Sequence, residues 1–127
     1  PPFSPAMDNI IHAANIAQNK LDGIGKSISP VEVKKKMDNN EDFILLDVRS
    51  PQEYEEIRID DTRVKLIPLG KLRESLHQLD KSKEIITFCK ISLRGYEAQR
   101  ILEGAGFRNV KFLDGGIVCW PYKKLVK

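Results

Sequence analysis

Short apolar runs alternate with amphipathic stretches along most of this chain. Four runs have the length and composition of buried strands: FILLDV at 43–48, VKLI at 64–67, EIITF at 84–88 and VKFL at 110–113. Strands separated by helical segments predict a mostly parallel sheet, here of four to five strands, covered by helices on both faces. We therefore expect a three-layer α/β domain over residues 29–127.

Two sequence signals mark helix starts. The segments SPVE at 29–32 and SPQE at 50–53 each place a serine before a proline and a glutamate three residues after the serine. This is a capping box with proline in the first turn, and it predicts helices from Pro30 to about Met37 and from Pro51 through Glu55. Three further helices are predicted: residues 71–79, residues from Arg94 to Gly104 or Gly106, and a last helix after Gly116 that holds Trp120 and Tyr122.

Residues 1–28 carry a separate pattern, in which apolar residues recur at helical spacing and glycines follow the last of them. The pattern predicts one amphipathic helix over residues 5–22. This helix precedes the compact unit, so residues 1–28 are interpreted as an N-terminal helix and linker.

The composition argues against several classes of function. The net charge is only +3, with 21 basic residues interspersed among 18 acidic ones, and no stripe of basic and aromatic residues suits a nucleic acid. No apolar run has the length that a bilayer requires. The two cysteines, Cys89 and Cys119, and the two scattered histidines make neither a disulfide framework nor a metal-ligand set. We expect a cytoplasmic protein that binds no metal, membrane or nucleic acid.

Cys89 lies directly after a predicted strand and just before a helix. Ligands of such folds bind beyond the carboxyl ends of the strands, and the first turn of a helix leaves N–H groups unpaired. Those N–H groups, the helix dipole and the charges of Lys90 and Arg94 favour a thiolate, which is the nucleophilic form. The same loop suits a persulfide or an oxyanion such as thiosulfate or phosphate. An inert buried cysteine is the alternative, since C-x4-R alone is a weak pattern.

Four motifs occur in a characteristic order: LLDVRSPQEY at 45–54, IPLGKL at 67–72, the strand–CKISLR–helix unit at 84–103, and GF-x-x-V-x-x-LDGGI-x-x-W at 106–120. Together they resemble the rhodanese domain, a sulfur-transfer module, over residues 28–125. The resemblance implies a rhodanese-like three-layer fold and a sulfurtransferase activity that needs no cofactor within the domain.

The resemblance also implies a role for each residue of the loop 89–94. Cys89 corresponds to the sulfur-accepting nucleophile, and Arg94 closes the loop and binds an anionic substrate. The intervening residues offer backbone N–H groups: Lys90, Ile91, Ser92 and Leu93.

Other matched residues are expected to be structural. Asp47 is implied to be a buried carboxylate that bonds nearby backbone, and Arg49 to pair with Glu53. The LDGG turn comprises Asp114, Gly115 and Gly116, and Trp120 is a core aromatic beside the site.

Three departures from the family pattern bear on the site. Ile57, Arg58 and Ile59 stand where Gly-His-Ile is frequent, which leaves this connection irregular. Ser92 stands where glycine is frequent, so the loop is strained if a positive φ is required there. Cys119 replaces a small residue; it either resolves a disulfide with Cys89 or, the interpretation we favour, fills the core.

The N-terminal stretch PPFSPAMDNIIHAANIAQNKLDG is similar to the end of the dimerisation domain of coenzyme A disulfide reductases, some of which carry a C-terminal rhodanese domain. The similarity implies that FAD and NAD(P)H belong to preceding domains, and that none is bound here. It implies as partners the preceding flavoprotein domain, a small sulfur-containing substrate (thiosulfate, polysulfide or persulfide) and a thiol acceptor.

Two other classes of protein share parts of this sequence pattern. Cysteine phosphatases use C-x5-R, but here that spacing falls on Gly95, and Arg94 comes one position early. A binding module without catalysis is the other alternative, and Ser92 is the one feature that favours it.

Overall fold

The computed structural model describes residues 26–127; the helix predicted over residues 5–22 lies outside them. This described part of the chain contains seven strands: β1 (Ser27–Ile28), β2 (Phe43–Asp47), β3 (Ile57–Ile59), β4 (Val64–Leu66), β5 (Glu84–Phe88), β6 (Val110–Leu113) and β7 (Lys124–Val126). Three α-helices alternate with them: α1 (Pro30–Asp38), α2 (Pro51–Glu56) and α3 (Leu93–Gly104). Short 3-10 turns cover Leu69–Lys71, Arg73–Gln78 and Gly116–Cys119.

Five strands form one sheet in the order β1-β6-β5-β2-β4, and every neighbouring pair is parallel. The predicted α/β class with a mostly parallel sheet is therefore confirmed. Asp47 at the end of β2 is paired with Leu66 of β4 and Phe88 of β5, so these strands end at one edge of the sheet. Cys89 follows β5 at that edge.

The core lies on both faces of this sheet. On β2, Leu45 and Leu46 are both fully buried but belong to different clusters, as do Ile85 and Ile86 on β5. One cluster includes Ala98 and Leu102 of α3, and the other includes Val33 of α1. Successive strand residues point to opposite faces, so a sheet covered on both sides buries continuous apolar runs. Each such side chain contributes about 1.5–3 kcal/mol when fully buried.

Both predicted capping boxes are confirmed. Ser29 accepts a hydrogen bond from the Glu32 N–H at 3.1 Å, and Ser50 accepts one from the Glu53 N–H at 3.1 Å. Each glutamate carboxylate accepts in return from the backbone N–H of its serine. These local contacts start α1 and α2 where the sequence predicts.

The helix predicted over residues 71–79 is present but shorter and of 3-10 type, over Arg73–Gln78, and the helix predicted after Gly116 is wrong. The Leu79 N–H donates to Leu76 O at 3.1 Å where the 3-10 helix ends. Leu72 and Leu79 lie in the core and Leu76 packs against it, so these three leucines share one face as predicted. After Gly116 the chain makes only a 3-10 turn, and Trp120 is extended because it precedes Pro121.

Three strands were not predicted. Ser27 and Ile28, which the sequence pattern assigns to the linker, form β1 and pair with β6. β3 and β7 form a separate antiparallel pair, in which Arg58 lies opposite Leu125. The segment Ile57–Ile59, expected to be irregular, is therefore a strand, and the C-terminal residues turn back to cover it.

Within residues 26–127, no helix combines the length and apolar character that crossing a bilayer requires. The same residues contain no group of three or more histidine, cysteine, aspartate or glutamate side chains arranged to hold a metal ion.

Candidate active site

Cys89 lies at the carboxyl end of the central strand β5, in the short loop that leads into α3. Its thiol is free, and the residue is only 2 % exposed. Lys90 and Ile91 on the same loop are exposed, and Ser92 is the N-cap of α3. The nucleophile candidate therefore lies beneath the loop rather than on its surface.

A series of backbone donors in the loop and at the start of α3 has no partner among residues 26–127. The Tyr96 N–H makes the first helical bond, to Ser92 O at 2.9 Å. The N–H groups of residues 90–95 donate to no other group in the described part of the chain. Unpaired N–H groups at a helix start, together with the helix dipole, favour a bound anion at this position.

A turn from a distant part of the chain holds this loop in place. The Ile117 N–H donates to Cys89 O at 2.9 Å, and the Val118 N–H donates to Lys90 O at 3.1 Å. Gly116 has φ of +62°, and a Cβ there would lie 2.0 Å from Ile91 O. Glycine is thus required at position 116 both by its backbone conformation and by the close approach of the loop.

Ser92 is part of the same contact. Its hydroxyl accepts a hydrogen bond from the Gly115 N–H at 2.8 Å. Its φ is −137°, so it does not adopt the left-handed conformation, and the strain considered for a serine here is absent. A serine in place of the frequent glycine therefore adds a bond between the loop and the Gly115–Gly116 turn.

Replacing Ser92 by alanine is expected to destabilise the domain by about 1–2 kcal/mol, because the Gly115 N–H loses its acceptor in a partly buried position. Urea unfolding measures the change, and faster hydrogen exchange at the Gly115 amide locates it. Ser82→Ala is a suitable control, since the Ser82 hydroxyl bonds an exposed Asp80 carboxylate. Unchanged exchange at Gly115 would contradict this role of Ser92.

Asp47 and Arg49 form a buried pair at the carboxyl end of β2. Asp47 is 0 % exposed and Arg49 2 %. The Asp47 carboxylate accepts bonds from the Arg49 backbone N–H at 3.0 Å, from its Nε at 2.9 Å and from its Nη2 at 2.8 Å. The structural position expected for Asp47 agrees with this geometry.

Arg49, expected to pair with Glu53, contacts that residue only through the backbone carbonyl and not through the carboxylate. Arg49 donates instead to two backbone carbonyls, Ile57 O at 2.7 Å and Glu53 O at 3.3 Å. These bonds satisfy the rest of the guanidinium and attach the end of α2 to the sheet. The carboxylate of Glu53 is left for a different arginine.

Glu53 pairs with Arg94, the residue expected to bind an anionic substrate. The guanidinium makes two parallel bonds, Nη1 to Oε1 at 2.7 Å and Nη2 to Oε2 at 3.0 Å. The hydrogen bonds from Arg94, and secondarily those from Ser50, lower the pKa of Glu53 to about 2. The pKa of Arg94 is raised, chiefly by Glu53 and to a smaller extent by the charges of Cys89 and Asp47. The pair is therefore ionised throughout the neutral range.

A cavity of about 230 Å³ lies beside the loop. Lys90 and Val118 line it from the loop and the turn, Glu53 and Glu56 from α2, and Lys124 from β7. Its wall thus carries charges of both signs as well as apolar groups. Cys89 does not line this cavity.

The sequence pattern did not indicate the roles of Glu53 and of the Gly115–Gly116 turn. The motifs DVRSPQEY and LDGG contain these residues, but neither motif indicates contact with the loop. Trp120 is buried and packs in one cluster with Ile117, as expected for a core aromatic.

Cys119 does not fill the core. It is exposed, on the 3-10 turn that holds the loop, and both Cys119 and Cys89 are free thiols. The core-filler interpretation is therefore wrong, and the two cysteines form no disulfide in this structure.

A parallel sheet with a cysteine loop at its carboxyl edge is consistent with the protein family that this sequence matches. The chain belongs to the rhodanese-like domain family, whose model matches residues 29–122. A relative from Mycobacterium tuberculosis, MoeZ, is named as an adenylyltransferase/sulfurtransferase and is 34% identical over 98 residues. That match covers 76% of this chain and 24% of MoeZ.

Two solved structures show which longer proteins contain a domain similar to this one. An NAD-dependent persulfide reductase from A. fulgidus is 45% identical, with a TM-score of 0.77 over 94% of this chain and 20% of that one. The reduced CoADR-RHD protein of Bacillus anthracis is 33% identical, with a TM-score of 0.73 over 82% of this chain and 18% of that one. This chain thus resembles the rhodanese domains of such reductases and spans about a fifth of their length.

Proposed function

We propose that this domain is a sulfurtransferase that carries sulfane sulfur as a persulfide on Cys89. The observation that carries the proposal is a set of backbone N–H groups at residues 90–95 that have no partner within residues 26–127, in the loop that joins the free Cys89 to α3. Such donors stabilise a thiolate before sulfur arrives and the terminal sulfur of a persulfide afterwards. Membership of the rhodanese-like family supports the same chemistry.

The transfer has two steps. With thiosulfate, the Cys89 thiolate attacks the outer sulfur, an S–S bond forms, and the S–S bond of thiosulfate breaks so that sulfite leaves with the electron pair. An acceptor thiolate then attacks the outer sulfur of the persulfide and restores the Cys89 thiolate. Polysulfide or a small-molecule persulfide serves as donor by the same displacement, and neither step needs a metal.

The longer proteins that contain similar domains suggest the cellular setting. We propose that the domain follows a cytoplasmic flavoprotein reductase, and that FAD and NAD(P)H bind to that preceding part alone. The acceptor of the sulfur is then a thiol of the reductase or a small thiol. The similarity to the two reductase structures supports this arrangement.

Phosphatase chemistry has weaker support. A phosphate needs a loop with the arginine one position later than Arg94. Arg94 is moreover already bound to a carboxylate in this structure. Hydrolysis of an aryl phosphate is therefore expected to be absent.

Intact-protein mass spectrometry tests the proposal. After incubation with thiosulfate or polysulfide, the chain is expected to gain one sulfur atom, and dithiothreitol is expected to remove it. Cys119→Ser, in which the exposed thiol is lost, is expected to gain sulfur as the native chain does. No gain with either donor, while Cys89 still reacts with an alkylating agent, would contradict the proposed function.

A further inference from the structure

The positive charge of Arg94 is balanced by the Glu53 carboxylate even when no sulfur donor is bound. Both oxygens of the Glu53 carboxylate bond its guanidinium, at 2.7 and 3.0 Å. Bidentate pairs of this kind are among the stronger hydrogen-bonded contacts in proteins. The adjacent cavity is lined by three positive side chains: Arg49, Lys90 and Lys124. Arg49, however, is already paired with the buried Asp47 carboxylate, and Glu56 adds a second carboxylate to the cavity wall. The net charge of the side chains around the loop is therefore close to zero rather than strongly positive.

Glu53 is fixed in this position from its other side as well. Its Oε1 accepts the Ser50 N–H at 3.2 Å as part of the capping box, and its backbone carbonyl accepts from Arg49 at 3.3 Å. Moving the carboxylate away from Arg94 would thus also disturb the first turn of α2. An incoming anion has to bind beside Glu53 or displace it.

Building on the sulfurtransferase function proposed above, we propose that Glu53 is a specificity-determining residue that makes the loop discriminate against dianionic sulfur donors. A fixed negative charge beside the binding point repels a donor in proportion to the donor's charge. A dianion such as thiosulfate is penalised twice as much as a monoanion. Glu53 therefore favours monoanionic donors, the class that includes organic persulfides.

Two donors of similar shape isolate this effect. Thiosulfate is a dianion, and methanethiosulfonate is a monoanion with a methyl group in place of one oxygen. Cys89 attacks the outer sulfur of either donor, the donor's S–S bond breaks, and sulfite or methanesulfinate leaves with the electron pair. Both reactions give the same Cys89 persulfide without oxidation by a third reagent, so their rates compare donor charge directly.

Glu53→Gln removes the charge but keeps the side-chain shape and an oxygen for the capping box. In the full 127-residue chain, kcat/KM with thiosulfate is expected to rise about tenfold and with methanethiosulfonate about threefold, because the electrostatic penalty scales with donor charge. The diagnostic quantity is the ratio of the two values. A general loss of folding changes both rates together and leaves this ratio unchanged.

Glu56→Gln is the matched control. Glu56 lies on the same helix, lines the same cavity and is exposed, but it makes no ion pair with Arg94. Its removal is expected to change the donor ratio less than twofold.

Two results would overturn the role of Glu53: an unchanged donor ratio in Glu53→Gln, or an equal change in Glu56→Gln. Either result would leave the proposed function intact as long as the native chain still gains sulfur. If the native chain gains sulfur from neither donor, the proposed function itself fails, and the Glu53 proposal fails with it.

Discussion

Replacing Cys89 by serine is expected to abolish sulfur loading and to lower sulfur-transfer activity at least about a thousandfold. A serine hydroxyl stays protonated at neutral pH, and its oxygen forms no persulfide. The exchange is nearly isosteric in a side chain that is 2 % exposed, so the fold is expected to persist. Mass spectrometry and a sulfite-release assay with thiosulfate measure the two effects.

Cys119→Ser serves as the matched variant. Cys119 lies on the turn that holds the loop, but its side chain is exposed, so activity is expected to stay within about twofold of the native value. Thermal unfolding of both variants separates chemistry from folding. Persistent sulfur loading of Cys89→Ser would show that the sulfur is carried elsewhere.

Asp47→Asn is expected to have the largest effect on stability, about 3–5 kcal/mol. The substitution leaves the Arg49 guanidinium buried without a counter-ion, at a site where both side chains are at most 2 % exposed. Small domains have free energies of unfolding of about 5–15 kcal/mol, so much of the stability would be lost. Urea unfolding measures the change.

A second Asp-x-Arg motif in the same chain provides the control. Asp61 accepts from the Arg63 backbone N–H at 2.8 Å and from its guanidinium at 3.1 Å, as Asp47 does from Arg49. This pair is only partly buried, with 17% and 20% of the side chains exposed, so Asp61→Asn is expected to cost about 1 kcal/mol or less. Equal losses in the two variants would mean that burial does not set the effect.

The Asp47 variant also connects stability to the site. Arg49 holds the carbonyls of Glu53 and Ile57, so its release is expected to loosen the end of α2. We therefore expect faster hydrogen exchange at the backbone amides of α2, which carries Glu53, in Asp47→Asn even below its unfolding midpoint.

The sequence by itself determined the features that depend on neighbouring residues. The capping boxes at Ser29 and Ser50 set two helix starts, because the bonds span only three residues. The apolar runs at β2 and β5 predicted buried parallel strands, because a sheet covered on both faces excludes water from every side chain. The position of Cys89 at the carboxyl end of β5 followed from the second of these patterns.

The tertiary structure alone decided which distant groups meet at the loop. Glu53 and Arg94 are 41 residues apart, and Ser92 and Gly115 are 23 apart. The family resemblance implied a partner four residues from Arg49, but the guanidinium pairs with the buried Asp47 carboxylate and contacts Glu53 only through its backbone carbonyl. The exposure of Cys119 and the pairing of β3 with β7 likewise depend on where the chain packs after Trp120. Such contacts are set by packing between whole elements, and periodicity within one segment carries no information about them.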